Sequence, residues 1–170
     1  MTLRQTQAPV AEGTRSAWEV AAAVPDPEIP VLTIEDLGIL RSVDTAPDGR
    51  VDVTITPTYS GCPAMDAIRA DVVDALAREG YPDVHVALVL SPAWTTDWMS
   101  EAGRRKLEEY GVAPPAPREP GEPVPLVLSL RCPQCGSPDT RELSRFGSTA
   151  CKSLWVCNAC REPFDHFKTI

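Results

Sequence analysis

Two Cys-x-x-Cys pairs, Cys132/Cys135 and Cys157/Cys160, separated by 21 residues, stand near the end of this 170-residue chain. Thiolates at that spacing occupy the two knuckles of a closed tetrahedral metal site, and two such pairs rarely meet by chance. They decide how the C-terminal part can fold. From Leu126 onward there are only about 45 residues, too few to bury a self-sufficient apolar core without a staple. The segment between the pairs is expected to form a β-hairpin that brings Cys132, Cys135, Cys157 and Cys160 onto one metal. Zinc is the default occupant of four thiolates, although iron accepts the same ligands.

The other two cysteines need separate arguments. Cys151 lies in Phe146-Gly147-Ser148-Thr149-Ala150-Cys151-Lys152, just after the expected hairpin turn. If Ala150 to Cys157 is one strand, Cys151 stands six residues from Cys157. At ~3.3 Å per residue that is roughly 20 Å, too far to share the metal. Lys152 beside it favours a thiolate; a spare buried cysteine is the plainer alternative. Cys62 stands alone in Tyr59-Ser60-Gly61-Cys62-Pro63, before a proline of the kind favoured at the first helical position. At or next to a helix N-cap, the dipole and unpaired N–H groups lower a thiol pKa, and Gly61 lets a ligand approach the backbone. A buried cysteine acting as a small apolar residue is equally compatible with this position.

Proline divides the chain. Pro114, Pro115, Pro117, Pro120, Pro123 and Pro125 interrupt residues 113–125, which read as a semi-rigid linker between a first domain at 15–112 and a module at 126–170. In the first domain, Arg15 to Val24 has helical spacing and stops at Pro25, and Thr33 is placed to cap a short turn of helix. Ile39 to Val43 reads as a strand, and Asp48-Gly49 as a turn. Val51, Val53 and Ile55 alternate with polar residues, as in a half-buried strand. Pro63 to Arg78 is the clearest helix, with an apolar stripe of Met65, Ile68, Val72, Ala75 and Leu76 and an end at Gly80. Val84 to Leu90 makes another strand, and a polar helix from about Thr96 to Tyr110 closes the domain at Gly111. Strands with helices on one side make a small α+β sandwich.

Charge narrows the function classes. The net charge of −8 is split into +2 from Leu126 onward and −10 before it, which speaks against nucleic-acid binding. The first ten residues have no apolar signal region and no apolar run approaches a membrane span, so a cytoplasmic protein with reduced thiols is expected. The only histidines are His85 and His166. Neither has an obvious orienting partner, which disfavours a Cys-His hydrolase.

Further motifs carry a resemblance. Asp26-Pro27-Glu28-Ile29-Pro30, Ile34-Glu35-Asp36-Leu37-Gly38-Ile39 and Thr56-Pro57-Thr58-Tyr59-Ser60-Gly61-Cys62-Pro63 resemble the small α/β domain family tied to iron–sulfur cluster assembly. In that family the cysteine at the position of Cys62 is the functional residue. Ser91-Pro92-Ala93-Trp94-Thr95-Thr96-Asp97-Trp98-Met99-Ser100, Gly111-Val112-Ala113-Pro114-Pro115, and the tail around Cys151 and Glu162-Pro163-Phe164-Asp165-His166-Phe167-Lys168 are similar to its PaaD (PaaJ) branch. Members of that branch are subunits of the phenylacetyl-CoA ring-1,2-epoxidase system of phenylacetate catabolism. The resemblance implies a two-layer iron–sulfur-assembly-type domain followed by a C-terminal β zinc ribbon. It also implies an accessory, non-catalytic subunit that assembles or matures iron or iron–sulfur centres in the oxygenase and reductase components. Cys62, with Cys151, would be the thiols that transiently hold iron or a cluster. Domains of this type often pair, which leaves a homodimer open. Consistently, the chain has neither paired Glu-x-x-His motifs for a di-iron site nor a Gly-rich dinucleotide loop.

Other readings stay beside this one. The ribbon could be an adaptor with an inert Cys62, and the chain could be a thiol-dependent enzyme, although no base is evident. Trp94 and Trp98 could flank a partner groove or simply pack. Asp26 and Glu28 could be functional or shape a turn between prolines. Asp97 and Glu101 could lie near a metal or on a solvated helix face.

Overall fold

In a computed structural model of the chain, residues 15–116 and 128–170 are described. Residues 1–14 and 117–127, the latter including most of the expected linker, lie outside the described residues. Helix α1 (Ala17–Ala22) starts at a capping box, in which Ser16 accepts from the Glu19 backbone and the Glu19 carboxylate accepts from the Ser16 N–H. Strand β1 (Leu40–Thr45) turns at Asp48-Gly49 into antiparallel β2 (Val51–Ile55), whose Val51, Val53 and Ile55 are buried as their alternation predicts. Helix α2 (Ala64–Arg78) then crosses over to β3 (Val84–Leu88), which runs parallel to β2. Ile68, Val72 and Leu76 of α2 are fully buried with the inward residues of β2.

The polar helix expected over Thr96–Tyr110 is broken in two. Thr95 caps a single 3₁₀ turn, Thr96–Trp98, and Met99 turns extended and buries its side chain. Ser100 then accepts from the Gly103 N–H at 2.9 Å and starts α3 (Glu101–Glu109). Two hydroxyl caps and one buried methionine outweigh helical continuity here. Likewise, Thr33 begins only a turn. Thr33 and Asp36 exchange backbone-to-side-chain hydrogen bonds at 3.1 Å, and Gly38 (φ +69°) leads out. Asp36 also accepts from Ser100 and from Lys106 at 2.6 Å. Burial works to raise its pKa, but the lysine and these donors hold it below the ordinary carboxylate value.

The C-terminal sheet is β4 (Val112–Ala113), β7 (Pro163–Phe167), β6 (Lys152–Cys157) and β5 (Thr140–Ser144), in that spatial order. β5, β6 and β7 pair antiparallel, whereas β4 lies parallel to β7. A strand that straddles the expected boundary between the first domain and the linker thus completes the ribbon's sheet. Trp155, Phe164, Ala113, Cys132 and Cys157 form a small core within it. Phe167 and Cys151 leave that core and are buried in the first domain's core instead. There Phe167 meets Trp94 at 6.1 Å between ring centroids, while the Trp94 indole N–H donates to the Leu37 carbonyl at 2.8 Å. The Thr96 N–H donates to the Ile170 main-chain oxygen at 3.2 Å. The ribbon is therefore docked on the α/β domain by a strand, an aromatic pair and a main-chain hydrogen bond. Among the described residues, no helix is long and apolar enough to cross a membrane.

Gly38 tests this arrangement. A Cβ at that position, with φ +69°, would lie 2.5 Å from the Trp98 carbonyl oxygen, so Gly38→Ala must move backbone. A loss of at least ~2 kcal/mol is expected in urea unfolding. An unchanged midpoint would contradict the packing of this turn against Trp98.

Candidate functional site

The two Cys-x-x-Cys segments form matching knuckles. The Gly136 N–H donates to the Cys132 carbonyl at 2.8 Å, with Gly136 at φ +73°. In the second knuckle the Arg161 N–H donates to the Cys157 carbonyl at 3.0 Å, with Arg161 at φ 70°. Asn158 ties the knuckles together through Asp139 at 2.8 Å. The four Sγ atoms lie within 4.8 Å of one another, with Cys132–Cys160 at 3.7 Å and Cys135–Cys157 at 3.6 Å. A tetrahedral ion with Zn–S near 2.3 Å places sulfurs roughly 3.8 Å apart, so the donor set fits such a metal. Backbone N–H groups of Cys160 and Ala159 aim at the Cys157 thiol and lower its pKa to about 7. Cys151 stands outside the cage, beyond the opposite end of β6, as strand length demands.

A second locus forms where the domains meet. Cys62 lies one residue before Pro63, the N-cap of α2, in a turn closed by the Cys62 N–H on the Tyr59 carbonyl at 3.3 Å. The side chain is half-buried and packs against the α/β core. Contrary to the lowering expected from the helix terminus, its thiol is pushed up. Burial is the largest cause, and the Glu28 and Asp26 charges add to it. The Ala64 N–H and the Tyr59 hydroxyl oppose the shift without reversing it.

Cys151 follows the same pattern. It is buried beside the Thr149 hydroxyl at 3.0 Å, and burial, then the Glu28 charge, raises its pKa against the pull of Thr149 and Lys152. Lys152, expected to favour the thiolate, is engaged with Asp165 at 3.1 Å. Asp26 shapes its turn by accepting from the Glu28 and Ile29 N–H groups at 2.9 and 2.8 Å. Burial raises both Asp26 and Glu28, and Lys152 from the ribbon pulls both down. Tyr59, which composition and spacing did not single out, has its phenol pKa raised by burial first, and then by the neighbouring Cys62, Glu28 and Cys151. Its signal was a place three residues before Cys62.

The remaining candidates take structural places. Trp94 is buried in packing, and Trp98 lies under the Arg41 guanidinium at 3.5 Å. His85 is exposed beside Asp52 at 3.6 Å. Glu101 is exposed in the first turn of α3 and Asp97 is half-buried in the 3₁₀ turn. His166 is buried, with Nδ1 at 3.2 Å from the Ser153 hydroxyl and its ring edge-on to Trp155.

Comparison with known proteins follows the same division. Residues 7–92 match the family described as iron–sulfur cluster assembly protein, and residues 123–168 match the PaaD zinc beta ribbon domain. The chain is 49% identical over 153 residues to a protein of Escherichia coli (strain K12) that is named as a subunit of 1,2-phenylacetyl-CoA epoxidase, covering 90% of this chain and 91% of that protein. It is 42% identical over 83 residues to an Fe-S protein maturation auxiliary factor of Porphyromonas gingivalis, covering 48% of this chain and 78% of that protein. Among solved structures, a domain of unknown function, DUF59, from Bacillus anthracis aligns with a TM-score of 0.50 at 28% identity, covering 54% of this chain and 87% of that one.

Two outcomes follow from this geometry. Stripping the ribbon's metal with a chelator is expected to melt β5–β7 and, through Phe167 and β4, to loosen the α/β core as well. Loss of the near-ultraviolet circular dichroism of the buried tryptophans would report it, and an unchanged spectrum after full metal loss would contradict the coupling. Burial, with a smaller push from Lys168, lowers the His166 pKa from 6.5 to about 4. The unfolded chain therefore takes up this proton first, so the contribution of neutral His166 to stability is lost as pH falls from about 6.5 toward 4. An NMR titration is expected to place the His166 midpoint near 4; a midpoint near 6.5 would contradict its burial.

Proposed function

Because the chain belongs to the iron–sulfur cluster assembly protein family, in the form that carries a PaaD zinc beta ribbon, we propose that it is an accessory subunit of the phenylacetyl-CoA epoxidase system. In this role it matures the iron or iron–sulfur centres of the oxygenase and reductase components in the cytoplasm, with no turnover of its own. Cys62 is the thiol that holds iron or a cluster in transit, and Cys151 works beside it. Cys132, Cys135, Cys157 and Cys160 keep a resident zinc that holds the 126–170 ribbon folded, while 15–112 forms the assembly domain and 113–125 joins the two.

The observation that carries this reading is the division of the thiols. Four converge in a closed cage, where a metal leaves slowly, and two lie apart from it under a common Glu28 charge. Transfer requires the second kind of site. The names of the relatives at 49% and 42% identity support the same direction.

A second reading has one observation in its favour. The raised pKa of Cys62 makes it a weak nucleophile, as an inert residue in a zinc-ribbon adaptor would be. One experiment separates the two. Cys62→Ser is expected to leave this chain folded and zinc-loaded, while the partner subunits co-expressed with it lose iron several-fold. Partners with normal iron would sink the maturation reading and favour the adaptor.

A further inference from the structure

We propose that the free edge of β3, from Val84 to Leu88, is a self-association surface, on which a second copy of this chain pairs antiparallel about a two-fold axis at Val86. The proposal stands apart from the maturation reading, since it uses neither Cys62 nor the ribbon's metal.

Among the described residues each sheet has two open edges, β1 and β3 in the first domain and β4 and β5 in the ribbon's sheet. Proteins guard such edges with charge, bulges or shortness, because unpaired main-chain groups recruit strands from other chains. β1 carries Arg41 and Asp44, and its register breaks between Leu40 and Ser42. β5 carries Arg141 and Glu142, and its register breaks between Glu142 and Ser144. β4 has only two residues. β3 has none of these devices. It reads Val84-His85-Val86-Ala87-Leu88 and runs on into Val89-Leu90 without a Lys, Arg, Asp or Glu, and its register with β2 is unbroken.

Hydrogen-bond parity selects the occupant. The Asp83 carbonyl accepts from the Val51 N–H, and the Val89 N–H donates to the Ile55 carbonyl, so the odd-numbered residues of this strand turn their main-chain groups toward β2. By alternation the N–H and C=O of Val84, Val86 and Leu88 face outward. In an antiparallel pair centred on Val86, the midpoint of the strand, Val86 meets its own copy and Val84 meets Leu88 in both directions. Three outward residues per chain each offer one N–H and one C=O, so two copies close six main-chain bonds and leave none of these groups open.

The side chains fit the same register. Val84, Val86 and Leu88 share one strand face, and there Val84 and Val86 line a surface groove with Arg69, Val73 and Asp74 of α2. Leu88 is 43% exposed and Val73 37%. The two-fold sets Leu88 of one copy opposite Val84 of the other, at the wall of that groove, so an exposed leucine gains apolar surface in each copy. On the other face His85 stands across from Ala87, and Asp83 stands across from Val89, so no like charges oppose each other. Because one edge serves both copies, the contact is isologous and closes as a dimer.

The test uses the full chain, reduced and zinc-loaded, in analytical ultracentrifugation over about a hundredfold range of concentration. A mass that rises from 18.4 kDa toward twice that value is expected. Leu88→Lys puts a cation opposite Val84, and Leu88→Pro removes one outward N–H at an edge position where a folded monomer tolerates proline. Each should weaken association about tenfold or more, with zinc content and far-ultraviolet circular dichroism unchanged. Amide exchange followed by NMR in the wild type needs no variant. The amides of Val84, Val86 and Leu88 should exchange slowly in concentrated protein and fast in dilute protein, while those of His85 and Ala87, which face β2, stay protected in both. A mass of 18.4 kDa at every concentration would overturn the proposal. So would wild-type association in both Leu88 variants, or exchange at the three outward amides that does not depend on concentration. Protection of those amides only when the oxygenase or reductase subunits are added would assign the edge to a foreign strand, and would equally overturn self-pairing.

Discussion

Phe167, the last residue of β7, is buried not in the ribbon but against Trp94 in the α/β core, and the relation of the two domains depends on that contact. A zinc ribbon this small has few apolar residues of its own; its inner cluster is built around Trp155 and Phe164. Such a module has little apolar surface left with which to hold a fixed orientation. Burying one phenylalanine contributes about 2 kcal/mol or more, and the β4–β7 pairing adds main-chain hydrogen bonds to it. The cage holds β6 and β7 in register, β7 inserts Phe167, and Cys151 is carried into the same core. A metal at one end of β6 thereby governs where a thiol at the other end sits.

The electrostatics of that junction run against simple intuition about helix termini. An N–H at the start of α2 does stabilise the Cys62 thiolate, yet burial and two carboxylates outweigh it. Cys151 repeats the balance, since Lys152 is engaged with Asp165 and the thiol is buried. Burial thus disfavours the thiolate, the reactive form, at both positions. A metal that binds such groups must displace their protons, and its affinity then rises with pH.

Much of this was legible in the chain because the signals were local and periodic. The alternation of Val51, Val53 and Ile55, the stripe from Met65 to Leu76 and the two Cys-x-x-Cys pairs all carry their own geometry. The separation of Cys151 from the cage followed from strand length alone. What was not legible was set by tertiary burial. Met99 breaks a helix because the core takes its side chain, and Thr95 and Ser100 stabilise the break through capping. The direction of the Cys62 pKa depends on Asp26 and Glu28, more than thirty residues upstream. Nor does any local pattern indicate that Val112 and Ala113, at the margin of a proline-rich stretch, should pair with β7.

The cage and the junction differ in what their donors leave unfinished. Cys132, Cys135, Cys157 and Cys160 complete a tetrahedron, and the backbone N–H groups of two knuckles stabilise their charge. Every coordination position is taken by protein, so exchange requires a knuckle to open. At the junction Cys62 and Cys151 come from different domains, and in both the balance is set by burial, with the Glu28 charge adding to it. Four thiols fixed by two knuckles make a site complete in itself, whereas these two owe their surroundings to the docking of β7 and Phe167 on the α/β core.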